Sequence, residues 1–274
     1  GFGQTGHYAE RPGYDALVQA MGGLMSITGE PDSTPGGGPQ KVGVAVVDVL
    51  TGLYATSAIL AALYHRTQSG QGQHIDIALL DVQVAALANQ ASNYVLGGLV
   101  PQRIGSAHPS IVPYQPFACA DGHVMLAIGN DTQFAAFCRA AGCEGLAQDE
   151  RFRSNALRVQ NREALIGLLH ERMSLKTVDQ WCQVAIESGF PCGPINTIDR
   201  VFADPQVQAR SMRVSVPSRG YGDVDLVASP MRFSGTPISY DAGPPSLGQD
   251  TEAVLGELGL DAAAIAALRD AKAI

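Results

Sequence analysis

One stretch constrains any fold of this chain more than the rest: KVGVAVVDVLTGLYATSAILAALYHR, residues 41–66, is almost wholly apolar and holds a single acid, Asp48. Its first part, VGVAVVD (42–48), reads as a short buried strand or extended segment. Its second, TGLYATSAILAALYHR (51–66), reads as a helix apolar nearly all round, and such a helix belongs in an interior. The nearest basic residues along the chain are Lys41, at the start of the run, and His65, near its far end. Desolvating an ionised carboxylate without a partner costs several kcal/mol. Asp48 therefore either caps the following helix, whose N-terminal dipole favours a negative charge, or does chemistry. The chemistry open to it is nucleophilic: a carboxylate attacks an activated acyl group, forms a mixed anhydride and splits one difficult exchange into easier steps. Apolar walls would shield that anhydride from water.

Composition narrows the classes. With 274 residues the chain can bury a full core as one large domain or two modest ones, and 46% hydrophobic against 16% charged residues describes a soluble globular protein. The net charge is −8 and the 15 Arg and 3 Lys form no cluster, which argues against nucleic acid as a partner. A few placed Arg residues and helix N-termini could still hold an anionic ligand. Five cysteines, an odd number without a CxxC pair, fit reduced thiols in a cytoplasmic or mitochondrial-matrix enzyme. No uninterrupted apolar run approaches the length of a membrane span, and no secretory signal opens the chain, so no membrane association is expected.

Along the chain, residues 1–13 form a Gly- and Pro-punctuated loop, 14–27 a helix, and 28–40 a flexible loop. HIDIALLD (74–81) alternates like a strand before a single helix continues to about residue 98. Residues 101–117 are too rich in Pro and Gly for a regular element and read as a linker. Asp121-Gly122 between two apolar runs signals a β-hairpin. NDTQFAAFCRAAG (130–142) has a helix's cap and stop, and 161–189 supplies two more helices, so 118–195 reads as a small α+β domain. Beyond it lie short strands (VSVPS, VDLVASP) and a final helix, DTEAVLGELG.

The familiar motifs have plain explanations. GFGQTG has the G-x-G-x-x-G spacing, but no strand precedes it and HYAERPGY is a poor helix start, so it reads as a glycine turn rather than a dinucleotide loop. The six histidines show no metal-ligand spacing, so no metal is expected. Cys192, in GFPCGP, has no base beside it in sequence and reads as a packed thiol.

Taken together, GFGQTGHYAERPGYDALVQAMGGLMSITGE, KVGVAVVDVLTGLYA, GQGQHIDIALLD, RIGSAHPSIVPYQPF, GNDTQFAAFC and GFPCGPINTIDRVFADPQVQARSM resemble the family III CoA-transferases, in the right order and over essentially the whole chain. This group includes formyl-CoA transferase, carnitine CoA-transferase and the 2-methylacyl-CoA racemases (the CaiB/BaiF-like proteins). ALANQASNYVLGG, AHPSIVPYQPF and GPINTIDRVFADPQV are most similar to the succinyl-CoA:glutarate, or dicarboxylate, branch. The resemblance implies that Asp48 is the catalytic aspartate, carrying first the acyl group as an anhydride and then CoA as a thioester. Coenzyme A enters as the substrate acyl-CoA, and no permanently bound cofactor is implied. The racemases place a His in the phrase that reads PGYD here. Tyr14 is a poor general base at pH 7 but can hydrogen-bond a carbonyl or carboxylate, so transfer is favoured over racemisation. The glycine-rich lid of formyl-CoA transferase has no residue-by-residue counterpart in IGSAHPSIVPYQ. There His108 either contacts a substrate carboxylate or holds the loop, with Tyr114 and Gln115 as further wall residues. Gly43 and Gly52 are candidates for close approach to the thioester.

The fold so implied is α/β: a Rossmann-like large-domain portion (1–100), a linker (101–117), a small α+β domain (118–195) and a C-terminal segment (196–274) returning to the large domain. Relatives form interlocked homodimers. The family's N-terminal portion, with the first strands of the large domain and much of the CoA pocket, has no counterpart ahead of GFGQTG. Two other readings stay open. One is a 2-methylacyl-CoA racemase; the other is a fragment or non-catalytic subunit that needs a separate N-terminal portion.

Overall fold

The computed structural model describes all 274 residues, Gly1–Ile274. The chain combines α-helices with β-sheets and divides into two compact units, Gly1–Ile195 and Asn196–Ile274.

The first unit opens with a loop ending at Tyr14, whose extended backbone (φ −130°, ψ 159°) leads into α1 (Asp15–Met21). Gly22 closes α1 where no side chain fits, since a Cβ there would lie 2.3 Å from Gln83 Cγ and 2.8 Å from Val18 O. After the short α2 (Leu24–Ile27) and an irregular loop, α3 (Val46–Ser69) runs for 24 residues to Gly70, whose left-handed backbone (φ 74°) ends it. Two helices follow, α4 (Leu79–Ala86) and α5 (Ala88–Gly97). Helices α1, α3 and α4 pack together around Phe2, Val18 and Val47.

The larger core of this unit is built on an antiparallel sheet of order β1-β2-β3: β1 (Tyr114–Ala118), β2 (His123–Ala127) and β3 (Cys192–Pro194). Against it lie α6 (Asp131–Ala140), α7 (Gly145–Gln148), α8 (Asn155–Gln160), α9 (Arg162–Met173) and α10 (Val178–Ser188). Phe117, Leu126, Phe134, Phe137, Phe152 and Trp181 fill the centre. Local chemistry sets the helix starts: Asn130 Oδ1 accepts the Gln133 N–H at 2.9 Å, and Thr177 with Gln180 forms a capping box. Arg158 is fully buried, with Nε donating to Val112 O at 2.7 Å and Nη1 to Phe152 O at 3.0 Å. Its Nη2 lies 2.8 Å from Asp131 Oδ1.

The second unit holds α11 (Ile198–Ala203), α12 (Pro205–Ala209), an antiparallel hairpin of β4 (Arg213–Ser218) and β5 (Gly222–Val227), and then α13 (Thr251–Glu257) and α14 (Ala262–Asp270). Asp204 and Asp261 cap α12 and α14.

Several sequence expectations need correction. VGVAVVD forms no strand: helix α3 already begins at Val46, and residues 74–78 join no strand ladder. A strand is completed by its neighbour's hydrogen bonds, which a local pattern cannot supply. The single helix expected after residue 81 is two, parted at Leu87, with Ala88 at the start of the second held at φ 48°, a backbone costly for a residue with a Cβ. The linker ends earlier than expected, since 114–117 already belong to β1, and α7, α8, α11, α12 and α14 have no counterpart in the sequence reading. The hairpin at Asp121-Gly122 is present, with the Cys119 N–H donating to Gly122 O at 2.8 Å.

The main departure concerns α3. Read as a buried helix, it exposes Leu53 at 60%, Leu60 at 61% and Tyr64 at 70%. Thr, Ser and Gly interrupt its apolar run without adding charge, so its mean hydropathy stays high where no unbroken apolar stretch signals it. By length and composition alone α3 could span a membrane.

Candidate functional site

Asp48 stands in the first turn of α3, at the third helical position, with an exposed side chain. It is not the cap. Asp15, from the start of α1, takes that role: its Oδ2 accepts the Val47 N–H at 2.8 Å and the Asp48 N–H at 3.2 Å. A helix start leaves four backbone N–H groups without intrahelical partners, and the Asp15 carboxylate takes two of them.

Asp15 is held in turn by Gln19, four residues along α1 and fully buried. Gln19 Nε2 donates to Asp15 Oδ1 at 2.5 Å, and its Oε1 accepts the Val42 N–H at 2.9 Å. One amide thus ties the loop entering α3 to the carboxylate that caps it. Tyr14, immediately before Asp15, is the N-cap residue of α1 and 80% exposed. Asp15 therefore links Tyr14, its chain neighbour, to the start of α3. Around Gly43 and Gly52 there is open space, with nothing within 4 Å of where a Cβ would stand.

The other candidates form a second group. His108 and Tyr114 lie against each other, ring centroids 5.3 Å apart, and the His108 backbone N–H donates to Tyr114 O at 2.9 Å. His108 Nδ1 accepts the Ser110 N–H at 3.1 Å, so this nitrogen holds the loop. Gln115 follows on β1, half-buried and paired in register with Leu126 of β2. Arg162 secures the loop from beneath, donating from Nη2 to His108 O at 2.7 Å and Pro109 O at 3.0 Å. Desolvation draws its guanidinium below the usual arginine value. Beside it a groove of about 250 Å³ is lined by Gln90, Asn93, Leu99, Val100 and Arg162 among others. Arg103, from the same loop, is ion-paired to Asp32. No hydrogen bond or ion pair joins the Asp48 group to the His108 group.

Among the motifs set aside, GFGQTG is a turn segment with Gly3 and Gly6 at positive φ, and no strand leads into it. The Cys192 thiol is half-buried, and burial pushes it up to about 12, far from a nucleophile's range. No three His, Cys, Asp or Glu side chains gather as a metal set.

Sequence reasoning missed Asp15, Gln19 and Arg162. Asp15 and Gln19 did leave a trace, an acid at a helix start with an amide four residues on. Their target lies some thirty residues further along the chain, where no local pattern reaches.

Comparison with known proteins gives a consistent result. The family model described as CoA-transferase family III matches residues 1–251. The chain is 48% identical over 259 residues to a succinate–glutarate CoA-transferase of Agrobacterium fabrum, covering 94% of this chain and 64% of the relative. It is 40% identical over 258 residues to a human succinyl-CoA:glutarate CoA-transferase, covering 94% of this chain and 58% of that one. The crystal structure of a CAIB/BAIF family protein from Brucella suis superposes with a TM-score of 0.79 at 46% identity, covering 94% of this chain and 66% of the other. The chain thus spans less than two thirds of the length of these relatives.

Proposed function

Because the chain belongs to CoA-transferase family III, we propose that it moves CoA from an acyl-CoA, succinyl-CoA in the first instance, to a dicarboxylate such as glutarate, with Asp48 as the nucleophile. One observation carries the assignment of Asp48. Its carboxylate is exposed at a helix start whose capping Asp15 already performs, so the fold asks nothing of it.

The reaction follows from the chemistry of a carboxylate. Asp48 attacks the thioester carbonyl of the donor, giving an acyl-aspartyl anhydride and free CoA thiolate. The thiolate attacks the aspartyl carbonyl, releasing the donor acid and leaving an aspartyl-CoA thioester. The acceptor carboxylate then attacks that thioester, and the returning thiolate takes the new acyl group, which restores Asp48. Each step exchanges one carboxylate or thiolate for another, with no net proton or electron transfer. The positive end of the α3 dipole would favour a negative charge on Asp48 in its first turn. Tyr14, His108, Tyr114 and Gln115 serve in this reading as positioning groups for the substrate. A homodimer and a cytoplasmic (or, in a eukaryote, mitochondrial-matrix) location go with it, and exposed Leu53, Leu60 and Tyr64 on α3 supply apolar surface that further protein could cover.

The test follows CoA by mass spectrometry from succinyl-CoA to a panel of carboxylates, with wild type and Asp48→Ala. The expected outcome is transfer by the wild type, loss of at least about a thousandfold in the mutant, and a CoA adduct on the Asp48 peptide of the wild type alone. Undiminished transfer in the mutant, or an adduct on another acid, would refute the assignment.

A further inference from the structure

Two of the five cysteines meet at the end of α6. The helix closes on Gly142, whose φ of 65° is the left-handed conformation that ends many helices. The Gly142 N–H turns back to Arg139 O at 3.2 Å, and the Cys143 N–H to Cys138 O at 2.8 Å. These two bonds define a Schellman turn, and the residues whose side chains such a turn brings together are the third from the helix end and the second beyond it. Here these are Cys138, fully buried in the core, and Cys143, half-buried and packed against that core.

We propose that Cys138 and Cys143 are a redox-active dithiol, which a peroxide converts to a reversible intrachain disulfide. Backbone geometry allows the bond. With standard dimensions, the Cys143 N–H···O=C Cys138 bond limits the two Cα atoms to at most about 6.7 Å, inside the span of about 4.4–6.8 Å found in disulfides. Exposure assigns the order of events, because only Cys143 reaches solvent. The charges agree: the Cys138 thiol, then Arg172, hold the Cys143 thiol below its ordinary value against burial and Glu144. The same contact with Cys143, reinforced by burial, keeps Cys138 protonated.

The Cys143 thiolate attacks one peroxide oxygen, the O–O bond breaks, and hydroxide leaves to become water, giving a sulfenic acid. The Cys138 sulfur, losing its proton, then attacks the Cys143 sulfur; the S–O bond breaks and a second water leaves. Two thiols are oxidised by two electrons, and hydrogen peroxide is reduced to two waters. Neither cysteine belongs to the proposed transfer site, so the inference stands apart from that reading.

The test is native wild-type protein treated with equimolar hydrogen peroxide, alkylated, digested with trypsin and read by mass spectrometry. Cleavage after Arg139 separates the two sulfurs, so the bond appears as peptides 104–139 and 140–151 cross-linked and parted by dithiothreitol. Peptide 104–139 also holds Cys119, so Cys119→Ser should keep the cross-link and Cys138→Ala should abolish it. Cys138→Ala should also leave a sulfenic acid that dimedone traps at Cys143. Oxidation falling first on Cys119, Cys182 or Cys192, or a cross-link that survives Cys138→Ala, would overturn the proposal. The wild-type digest alone decides whether Cys143 enters a disulfide, and fragmentation of the cross-linked peptides places its partner at Cys138 or Cys119, even if the variants fold poorly.

Discussion

Replacing Asp15 tests how the start of α3 is held. Asp15→Ala removes the acceptor for the Val47 and Asp48 N–H groups and the partner of Gln19 Nε2. Loss of a capping side chain costs about 0.5–2 kcal/mol, and loss of its charge at the helix N-terminus about 0.3–1 kcal/mol more. Gln19 is fully buried, and the one acceptor left to its Nε2, Val44 O, is distant at 3.5 Å. Leaving such a donor nearly unpaired adds about 1–3 kcal/mol. Because these effects overlap, the first turn of α3 should lose about 2–4 kcal/mol. Hydrogen exchange reads this locally, without requiring the whole chain to unfold in one step. Amides at residues 46–49 should exchange about 30- to several-hundredfold faster, at tenfold per 1.4 kcal/mol, while those of α9 and α10 stay unchanged. Asp15→Asn keeps one acceptor oxygen for the Val47 and Asp48 N–H groups but loses the charge and the acceptor of Gln19 Nε2, so its effect should be smaller than that of Asp15→Ala. Unchanged exchange at 46–49 in a folded Asp15→Ala protein would show that the cap does not hold the helix start.

Two further predictions concern the body between residues 112 and 195. Arg158→Met should destabilise it by about 3–5 kcal/mol, because Val112 O and Phe152 O lose their donor inside the core; a thermal midpoint within a degree of wild type would contradict this. At pH 8 Cys192 should be alkylated far more slowly than Cys143, since burial favours the neutral thiol of the first and the Cys138 contact the thiolate of the second. Raising the pH towards 12 should close that gap, and equal rates at pH 8 would refute the assignment of the two environments.

What the sequence disclosed depended on how far along the chain the cause lay. Asp121-Gly122 announced its hairpin, and Asn130 and Gly142 bounded α6, because a turn or a cap is made by residues that are neighbours in the chain. Residues 42–48 were misread for the opposite reason. A Val-rich run suits a strand or a helix, and the choice falls to groups elsewhere: here the Asp15 carboxylate and the Gln19 amide stand ready at the start of a helix, and no strand lies alongside. The position of Asp48 was legible, as one acid in an apolar run. Its freedom from capping was not, because the residue that relieves it lies on another helix. The meeting of Cys138 with Cys143 is in principle readable from C-x4-C with a glycine just before the second cysteine, a spacing that CxxC does not cover.

The pairing of Asp15 with Asp48 bears on why two acids stand at one helix start. A carboxylate that capped α3 itself would be fixed by its hydrogen bonds and stabilised as an anion, both of which oppose attack on a carbonyl. With Asp15 accepting the N–H groups, the helix start is satisfied by a side chain that need not react. Asp48 then keeps the local field of the helix terminus without being bound by it, and its exposed carboxylate stays free for the acyl-carrying role proposed for it. On this reading, moving the cap to residue 48 by removing Asp15 should do more than loosen a helix. It should draw the nucleophile into structural duty, and transfer should fall further than the loss of folded protein accounts for.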